Sequence, residues 1–351
     1  MKHVLKLSLL ILSIFIITAC SSETSSESSE KNAKDEKVKI FTTVYPLQYF
    51  AEQIAGDEAE VTSILPPGSD PHTFEPTTKE MIEIAEADLF IYNGAGLEAY
   101  AEKIADSVES EDVRIVEASQ GIDLKEHVHE GEASREEEHA HEEEGSHEDE
   151  HAHEEDAHDE GSTHEEEGHE GHNHGDQDPH VWLDPTLAAE LAQNVKDQLV
   201  EVDPENESLY QQNFEDLEKR LQELDQTFHQ EIEDLPKNEI IVSHAAYGYW
   251  EQAYGLEQIA VSGLSPTSEP SQQELEQIIE VANEHGLNHV LFEQNVTPKI
   301  AEVVRKEMDA EALRIHNLSV LTEEDVQNEE DYFSLMEGNI EVLKTALSDA
   351  E

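Results

Sequence analysis

One segment of the chain cannot contribute to a folded core. Residues 126–178 carry 23 Asp and Glu, 12 His and one Arg, with almost no apolar side chains. Such a composition buries too little apolar surface to offset the chain entropy lost on folding, so we expect this segment to be disordered without a ligand. Any globular fold must therefore be built from the residues before and after this insert. The 351 residues leave room for two domains once the insert is set aside.

The charge balance excludes two classes of partner. The chain has 20 Lys and Arg against 84 Asp and Glu, a formal net charge of −64. Nucleic-acid binding depends on clustered basic side chains that displace counterions, and membrane-surface binding by a basic face needs the same clusters. We expect neither nucleic acid nor a membrane surface bound through basic residues.

The N-terminus resembles an export and anchoring sequence. Lys2 and Lys6 precede an apolar run over residues 7–19, which is shorter than the roughly 20 residues that a spanning helix needs. The tetrapeptide at residues 17–20 resembles a bacterial lipobox, in which Cys20 becomes the lipidated first residue of the mature protein. We expect a lipoprotein signal peptide at residues 1–19, attachment to the cell membrane on its extracytoplasmic face, and a flexible tether over residues 20–37. The alternative is that Cys20 is an unrelated thiol.

Short apolar runs alternate with helical periods on both sides of the insert, which is typical of parallel βαβ units. We expect an α/β fold of two lobes, each with a mainly parallel β-sheet flanked by helices, joined by one long rigid helix. The first lobe is expected at residues 38–185 with the insert included, a helical linker at 186–235, and the second lobe at 236–351. The expected strands are residues 37–44, 61–65, 88–92, 113–116, 239–242, 258–261 and 290–293. The expected helices include residues 47–55, 77–85, 272–282 and 298–308.

The joining helix is indicated by an apolar stripe at three- and four-residue steps. The stripe consists of Leu209, Phe214, Leu217, Leu221, Leu224, Phe228, Ile232 and Leu235. Asp203 is a natural N-cap and Pro204 suits the first helical position. A helix from Asp203 to Leu235 would have about 32 residues and a length of roughly 48 Å, so we expect it to connect the lobes.

Three histidines outside the insert are candidate metal ligands. His72 lies in a Pro-rich loop at residues 66–76, His180 lies in a Pro-flanked loop at 178–185, and His244 directly follows a predicted strand. The carboxyl ends of strands in open parallel sheets face the ligand crevice, so His72 and His244 should meet there from opposite lobes. Three imidazoles with a fourth position for carboxylate or water form an established zinc site. Taken singly, a histidine of this kind is more often a hydrogen-bonded structural residue than a metal ligand.

Carboxylates next to these histidines have two alternative roles. Asp70, Glu75 and Asp184 could accept a hydrogen bond from an imidazole and fix its tautomer. They could equally cap the loops in which they lie.

The same loops carry motifs of a known protein family. The motifs are DPHTFEP around His72, DPHVWLDP around His180, SHAAYGYW around His244, and then SGLSPTSEPS and LFEQN. In this order they resemble the metal-binding lipoproteins of bacterial zinc and manganese ABC importers, over nearly all of residues 38–350. The resemblance implies two α/β lobes joined by a rigid helix, with a metal ion buried between them and bound by the three histidines.

The resemblance also bears on the choice of metal. The manganese members place a carboxylate where this chain has His244, and nitrogen ligands favour zinc over manganese, so the expected cargo is Zn²⁺. Several zinc members supply a fourth carboxylate from a loop that aligns with residues 318–324. Thr322 stands at that position here, so the fourth ligand is expected to be either water or Glu323.

By resemblance, the chain is a binding protein that captures zinc and hands it to the membrane permease of an ABC importer. We expect a monomer, anchored to the bilayer through acylated Cys20, without enzymatic activity. Three alternatives are a manganese-binding paralogue, a surface metal buffer or adhesin, and a zinc hydrolase. The hydrolase is disfavoured because the loops that carry His72, His180 and His244 contain no HExxH or similar motif.

The insert is itself a candidate zinc-capturing segment, since its histidines and carboxylates offer many equivalent ligand pairs. The alternative is a solvated spacer. Imidazole capture should fade near pH 5, where side chains of ordinary pKa, about 6.5, are mostly protonated.

Overall fold

The computed structural model describes residues 37–108, 111–126, 177–295 and 298–348. The expected signal peptide, Cys20, the tether and almost all of the insert lie outside the described residues, so their predictions stay predictions. No helix in the described part combines the length and the apolar character that crossing a membrane requires.

The first lobe is built on a four-stranded parallel sheet. Its strands are β1 (Val38–Thr42), β2 (Ala59–Ser63), β3 (Leu89–Tyr92) and β4 (Arg114–Glu117), in the order β2-β1-β3-β4. Its helices are α1 (Tyr45–Ala55), α2 (Thr78–Ala85) and α3 (Ala101–Val108). Ile40 on the central strand pairs with Val61 on one side and Leu89 on the other, so the carboxyl ends of the strands lie along one edge.

The second lobe repeats this architecture. Its strands are β5 (Glu239–His244), β6 (Glu257–Ser262), β7 (His289–Glu293) and β8 (Glu311–Ile315), parallel and in the order β6-β5-β7-β8. Its helices are α6 (Gly248–Tyr254), α7 (Gln272–Glu284), α8 (Lys299–Glu307), α9 (Glu323–Gln327) and α10 (Tyr332–Leu347). The two parallel sheets confirm the predicted α/β class.

Two helices connect the sheets, α4 (Pro185–Val202) and α5 (Glu207–Ile232). The expected start of the long helix is wrong, because a 3₁₀ turn at Pro204–Asn206 comes first and the α-helix begins at Glu207. With 26 residues, α5 is about 39 Å long. Within the predicted stripe Leu209 is exposed, and Tyr210 is buried in its place.

The long helix α5 contacts both lobes. Near its start, the Asn213 amide donates to the Ile54 carbonyl of α1 at 2.9 Å. Near its end, Phe228 stacks on Tyr254 of α6 with ring centroids 4.8 Å apart. The buried face of α5 belongs to one apolar cluster that also includes Leu47 of α1. Through this shared core, both lobes pack against the same helix, α5.

The two ends of the insert meet beside α6. Glu126 and Gln177 form an isolated antiparallel bridge, and the Asp178 N–H donates to the Lys125 carbonyl at 2.8 Å. The Lys125 ammonium donates to the Gly248 carbonyl at 2.8 Å and forms an ion pair with Glu251. The chain therefore leaves and re-enters the fold at one point, one residue before Asp178.

Candidate metal centre

The three predicted histidines come together between the lobes. One nitrogen from each of His72, His180 and His244 lies within 4.8 Å of the others, and within the described residues they form the group that could hold a metal ion. The ring centroids are 5.4 Å apart for His72 and His180, 5.9 Å for His72 and His244, and 5.2 Å for His180 and His244. The sequence segments that carry them are far apart, so this convergence is a product of the tertiary fold.

His72 is supplied by the loop that follows β2. Its backbone N–H donates to the Asp70 carboxylate at 3.0 Å, and the Thr73 hydroxyl donates to the same carboxylate at 3.2 Å. Two bonds fix the loop to the second lobe: the Gly68 N–H donates to the Leu321 carbonyl at 2.8 Å, and Asn295 donates to the Ser69 carbonyl at 2.9 Å. Asp70 therefore caps the loop, one of its two expected roles.

His180 lies between the insert and α4 and is almost fully buried, with 1% of its surface exposed. The Asp178 carboxylate accepts hydrogen bonds from its backbone N–H at 3.0 Å and from its Nδ1 at 2.8 Å. Asp184 does not act on the imidazole. It caps α4 through the backbone N–H groups of Thr186 at 2.7 Å and Leu187 at 3.3 Å.

His244 is the last residue of β5 and is also 1% exposed. Its Nδ1 lies 2.9 Å from a carboxylate oxygen of Glu293, the last residue of the neighbouring strand β7. Ser243 donates its hydroxyl to the other oxygen of that carboxylate. Glu293 has no exposed surface, so this carboxylate is held entirely within the protein.

The two carboxylates leave the metal-binding nitrogens free. Asp178 and Glu293 accept hydrogen bonds from the Nδ1–H groups, which assigns the lone pairs to Nε2 of His180 and His244. These Nε2 atoms are 3.3 Å apart. Two nitrogens bound to one zinc ion at about 2.0–2.1 Å with tetrahedral angles would be about 3.3–3.4 Å apart. The two carboxylates would also balance the charge of a divalent cation.

Burial lowers the pKa of His72 well below its ordinary value of 6.5, and the neighbouring His180 and His244 lower it further. A lowered pKa keeps the imidazole neutral, and only the neutral form binds a metal ion. Burial also raises the pKa of the Tyr247 phenol well above 10, with a further contribution from the Glu293 carboxylate. His72 therefore presents a neutral imidazole toward the centre of the site, and the Tyr247 phenol keeps its proton beside Glu293.

Two further predicted candidates lie elsewhere. Glu75 is exposed, and Glu323 is an exposed first residue of α9 that is not part of the histidine group. Thr322 caps α9 by accepting from the Asp325 N–H. Capping by Thr322 sets Glu323 at the start of a helix, and the choice between water and Glu323 as the fourth ligand stays a prediction.

Sequence reasoning missed both carboxylates that orient the imidazoles. Asp178 stands two residues before His180 in the same motif. Glu293 is 49 residues from His244 and ends a predicted strand of the same sheet. Glu293 could be found from the rule that paired parallel strands place their terminal residues side by side. The rule needs the pairing of β5 with β7, which was not predicted from the sequence.

Comparisons with known proteins identify relatives over most of the chain. The family model described as "Zinc-uptake complex component A periplasmic" matches residues 40–346. The high-affinity zinc uptake system protein ZnuA of Bacillus subtilis is 33% identical over 339 residues, covering 95% of this chain and 97% of that protein. The zinc-binding lipoprotein AdcA of Streptococcus pneumoniae is 32% identical over 341 residues, covering 97% of this chain. This chain spans 60% of the length of that AdcA.

A solved structure shares the architecture. The Zn(II)-bound ZnuA-like domain of S. pneumoniae AdcA superposes with a TM-score of 0.67 at 28% identity, over 90% of this chain and 100% of the other. Since the family model covers almost the whole described part of the chain, both lobes and all three histidines fall within the match. The chain therefore belongs to the zinc-uptake complex component A family.

Proposed function

We propose that this protein captures Zn²⁺ between its lobes and delivers it to the membrane permease of an ABC importer. The observation that carries the proposal is the convergence of His72, His180 and His244, with two Nε2 atoms at the spacing of zinc ligands. Family membership and the names of the relatives support a role in zinc uptake.

The donor set favours zinc over manganese. Three imidazole nitrogens suit zinc, whereas manganese is bound more readily by hard carboxylate and carbonyl oxygens. The nearest carboxylates, Asp178 and Glu293, face the Nδ1 atoms and so act through the imidazoles. The three histidines would leave one position of a tetrahedral ion for a water molecule.

Capture involves no covalent chemistry. The hydrated ion enters between the lobes and exchanges water for the Nε2 atoms of His180 and His244 and a nitrogen of His72. Because the orienting carboxylates already hold two of the rings, little side-chain entropy is lost on binding. Release requires that this arrangement be disturbed when the permease docks.

The remaining parts of the proposal come from the sequence. We place the signal peptide at residues 1–19, a lipid on Cys20 that anchors the protein outside the cell membrane, and a tether to the first lobe. The protein acts as a monomer. The insert collects zinc weakly and raises its concentration near the site.

Metal competition on two forms of the protein tests this function. The mature chain from Cys20 and a variant lacking residues 127–176 are stripped of metal, offered equal zinc and manganese, and analysed by mass spectrometry. We expect the deletion variant to bind one zinc ion per chain, and His244→Ala in that variant to abolish binding. Zinc uptake by cells that lack the protein should fall in zinc-poor medium.

Three outcomes would contradict the proposal. Preferential binding of manganese would overturn the reading of His244. No bound metal in the deletion variant would assign binding to the insert. Unchanged zinc uptake by cells that lack the protein would favour a buffer or adhesin over a transport receptor.

A further inference from the structure

A buried asparagine of the first lobe contacts the segment that carries His180. Asn93 directly follows β3 and has no exposed surface. Its amide nitrogen donates to the Pro179 carbonyl at 3.0 Å and to the Gly94 carbonyl at 3.2 Å. Pro179 immediately precedes His180, so Asn93 is hydrogen-bonded to the backbone one residue from a candidate zinc ligand.

Glu98 in turn fixes Asn93. Its buried carboxylate accepts hydrogen bonds from the backbone N–H groups of Asn93 at 2.8 Å and Gly94 at 3.0 Å, and from the Thr43 hydroxyl at 2.6 Å. The Asn93 carbonyl accepts from the Ser119 N–H at 3.0 Å. The backbone of Asn93 is thus held from both sides at the carboxyl end of the first sheet.

Three further side chains that donate to this segment come from the second half of the chain. The Tyr249, Trp250 and Tyr332 side chains donate, each at 2.7 Å, to the carbonyls of Asp178, Leu183 and Trp182 respectively. His180 and His244 therefore share a framework built largely from α6, α10 and β5. His72 lies on the other lobe, in the loop after β2. The bond from Asn93 to Pro179 joins the His180 framework to the sheet that carries that loop.

The oxygen of the Asn93 side-chain amide bears on the role of the bond that the nitrogen donates to Pro179. Within the described part of the chain, its Oδ1 atom is buried and has no hydrogen-bond partner. Burying an unsatisfied carbonyl is unfavourable, and an apolar side chain would avoid the cost. The two bonds that the amide nitrogen donates offset this cost. One stays within the local turn at the Gly94 carbonyl, and the other reaches the Pro179 carbonyl.

We propose that Asn93, held by Glu98, is a positioning residue for zinc binding, whose bond to Pro179 aligns the His180 and His244 pair with His72. The inference rests on the proposed function. Loss of the bond would leave the lobes folded around α5 but would let the His180 segment shift relative to the first sheet. A small shift in one of three ligands weakens a site of fixed geometry more than it weakens the fold.

The test compares two asparagine variants of the full mature chain. Asn93→Leu removes the donor at similar volume. Asn194→Leu is the matched control, because Asn194 also donates to two carbonyls of the first lobe, those of Ala118 at 2.7 Å and Gln120 at 3.2 Å, whereas neither of these bonds goes to the His180 segment. Zinc affinity is measured by competition with a chelator, the cobalt-substituted site by its d–d absorption, and stability by urea unfolding of the metal-free protein.

We expect Asn93→Leu to weaken zinc binding about 10- to 100-fold and to alter the cobalt spectrum, while Asn194→Leu changes neither. The inference is overturned if Asn93→Leu binds zinc with the same affinity and spectrum as the unchanged protein, or if both variants lose affinity in proportion to stability. If Asn93→Leu does not fold, Asn93→Ala is measured with Asn194→Ala as its control. Failure of the proposed function is distinguished from failure of this inference by a further variant. If the proposed function is wrong, His244→Ala should show the same cobalt spectrum as the unchanged protein.

Discussion

Glu293→Gln separates the charge behind His244 from its hydrogen bond. The wild-type carboxylate lies 2.9 Å from the His244 Nδ1 and has no exposed surface. A glutamine of the same shape keeps one oxygen that accepts from Nδ1, so the imidazole keeps its tautomer, while its amide NH2 group donates to the Ser243 hydroxyl oxygen. The variant therefore loses one negative charge and reverses the direction of the bond to Ser243.

The loss of zinc-binding free energy in Glu293→Gln has an upper limit and an expected value. The carboxylate would lie about 6.5 Å from a metal ion bound at Nε2, and a unit charge facing a divalent ion at that distance contributes about 5 kcal/mol at an effective dielectric constant of about 20. The metal-free protein offsets part of this, because a buried carboxylate without a cation is itself unfavourable. Removing a carboxylate behind a metal-bound histidine typically weakens binding about 10- to 100-fold, or roughly 1.4–2.7 kcal/mol. Full burial places the expected loss near 100-fold.

The assay is zinc affinity by chelator competition, together with the unfolding free energy of the metal-free protein. We expect lower affinity with unchanged or higher metal-free stability, since the uncompensated charge is gone. Asp325→Asn is the control, because Asp325 faces the Nε2 of His316 at 3.1 Å in the same lobe but outside the histidine group. Affinity within twofold of wild type for Glu293→Gln, or an equal loss for Asp325→Asn, would refute the reasoning.

Three further predictions concern the fold. Burial raises the pKa of Glu98 from 4.5 to about 7, so the folded state retains a proton that the unfolded chain releases, and stability should fall by about 3 kcal/mol as pH rises from about 4.5 to 7. Glu98→Gln should flatten that slope in urea unfolding of the metal-free protein, and an unchanged slope would assign it to other groups. Phe228→Ala removes a fully buried ring of α5 and should cost about 3–5 kcal/mol of unfolding free energy; a loss below about 1 kcal/mol would contradict the shared core. Asp184→Ala removes the cap of α4 and should cost about 1 kcal/mol in the same assay without lowering zinc affinity, whereas lost affinity would give Asp184 a role at the metal.

The fold could be predicted from the sequence where burial repeats with a regular period. The central strands each contain a short apolar run, such as Leu89–Tyr92 in β3, and the stripe on α5 has helical spacing, so both were found. The strand β8 was missed because it is an edge strand whose residues are largely exposed, which leaves no apolar run. The start of α5 was misplaced because Pro204 suits the first position of a 3₁₀ turn as well as that of an α-helix.

The site was predictable where the chemistry is local. Each histidine lies in a short motif with a rigid backbone, so His72, His180 and His244 could be selected from the sequence. Their partners could not all be selected, because Glu293 acts across two strands whose pairing is set by the tertiary fold. Asp70 and Asp184 illustrate the converse. Both are close to a histidine in the sequence, but Asp70 caps a loop and Asp184 caps a helix.

The antiparallel bridge between Glu126 and Gln177 makes the insert a replaceable module. Because the chain leaves and returns at adjacent positions, a two-residue turn of the kind found in β-hairpins can close the gap without moving Asp178. The same junction can accept a different sequence, since the ends of any grafted segment start side by side and the closure entropy grows only slowly with length. Segments of other lengths and compositions can thus be exchanged at this junction while the three-histidine centre stays the same.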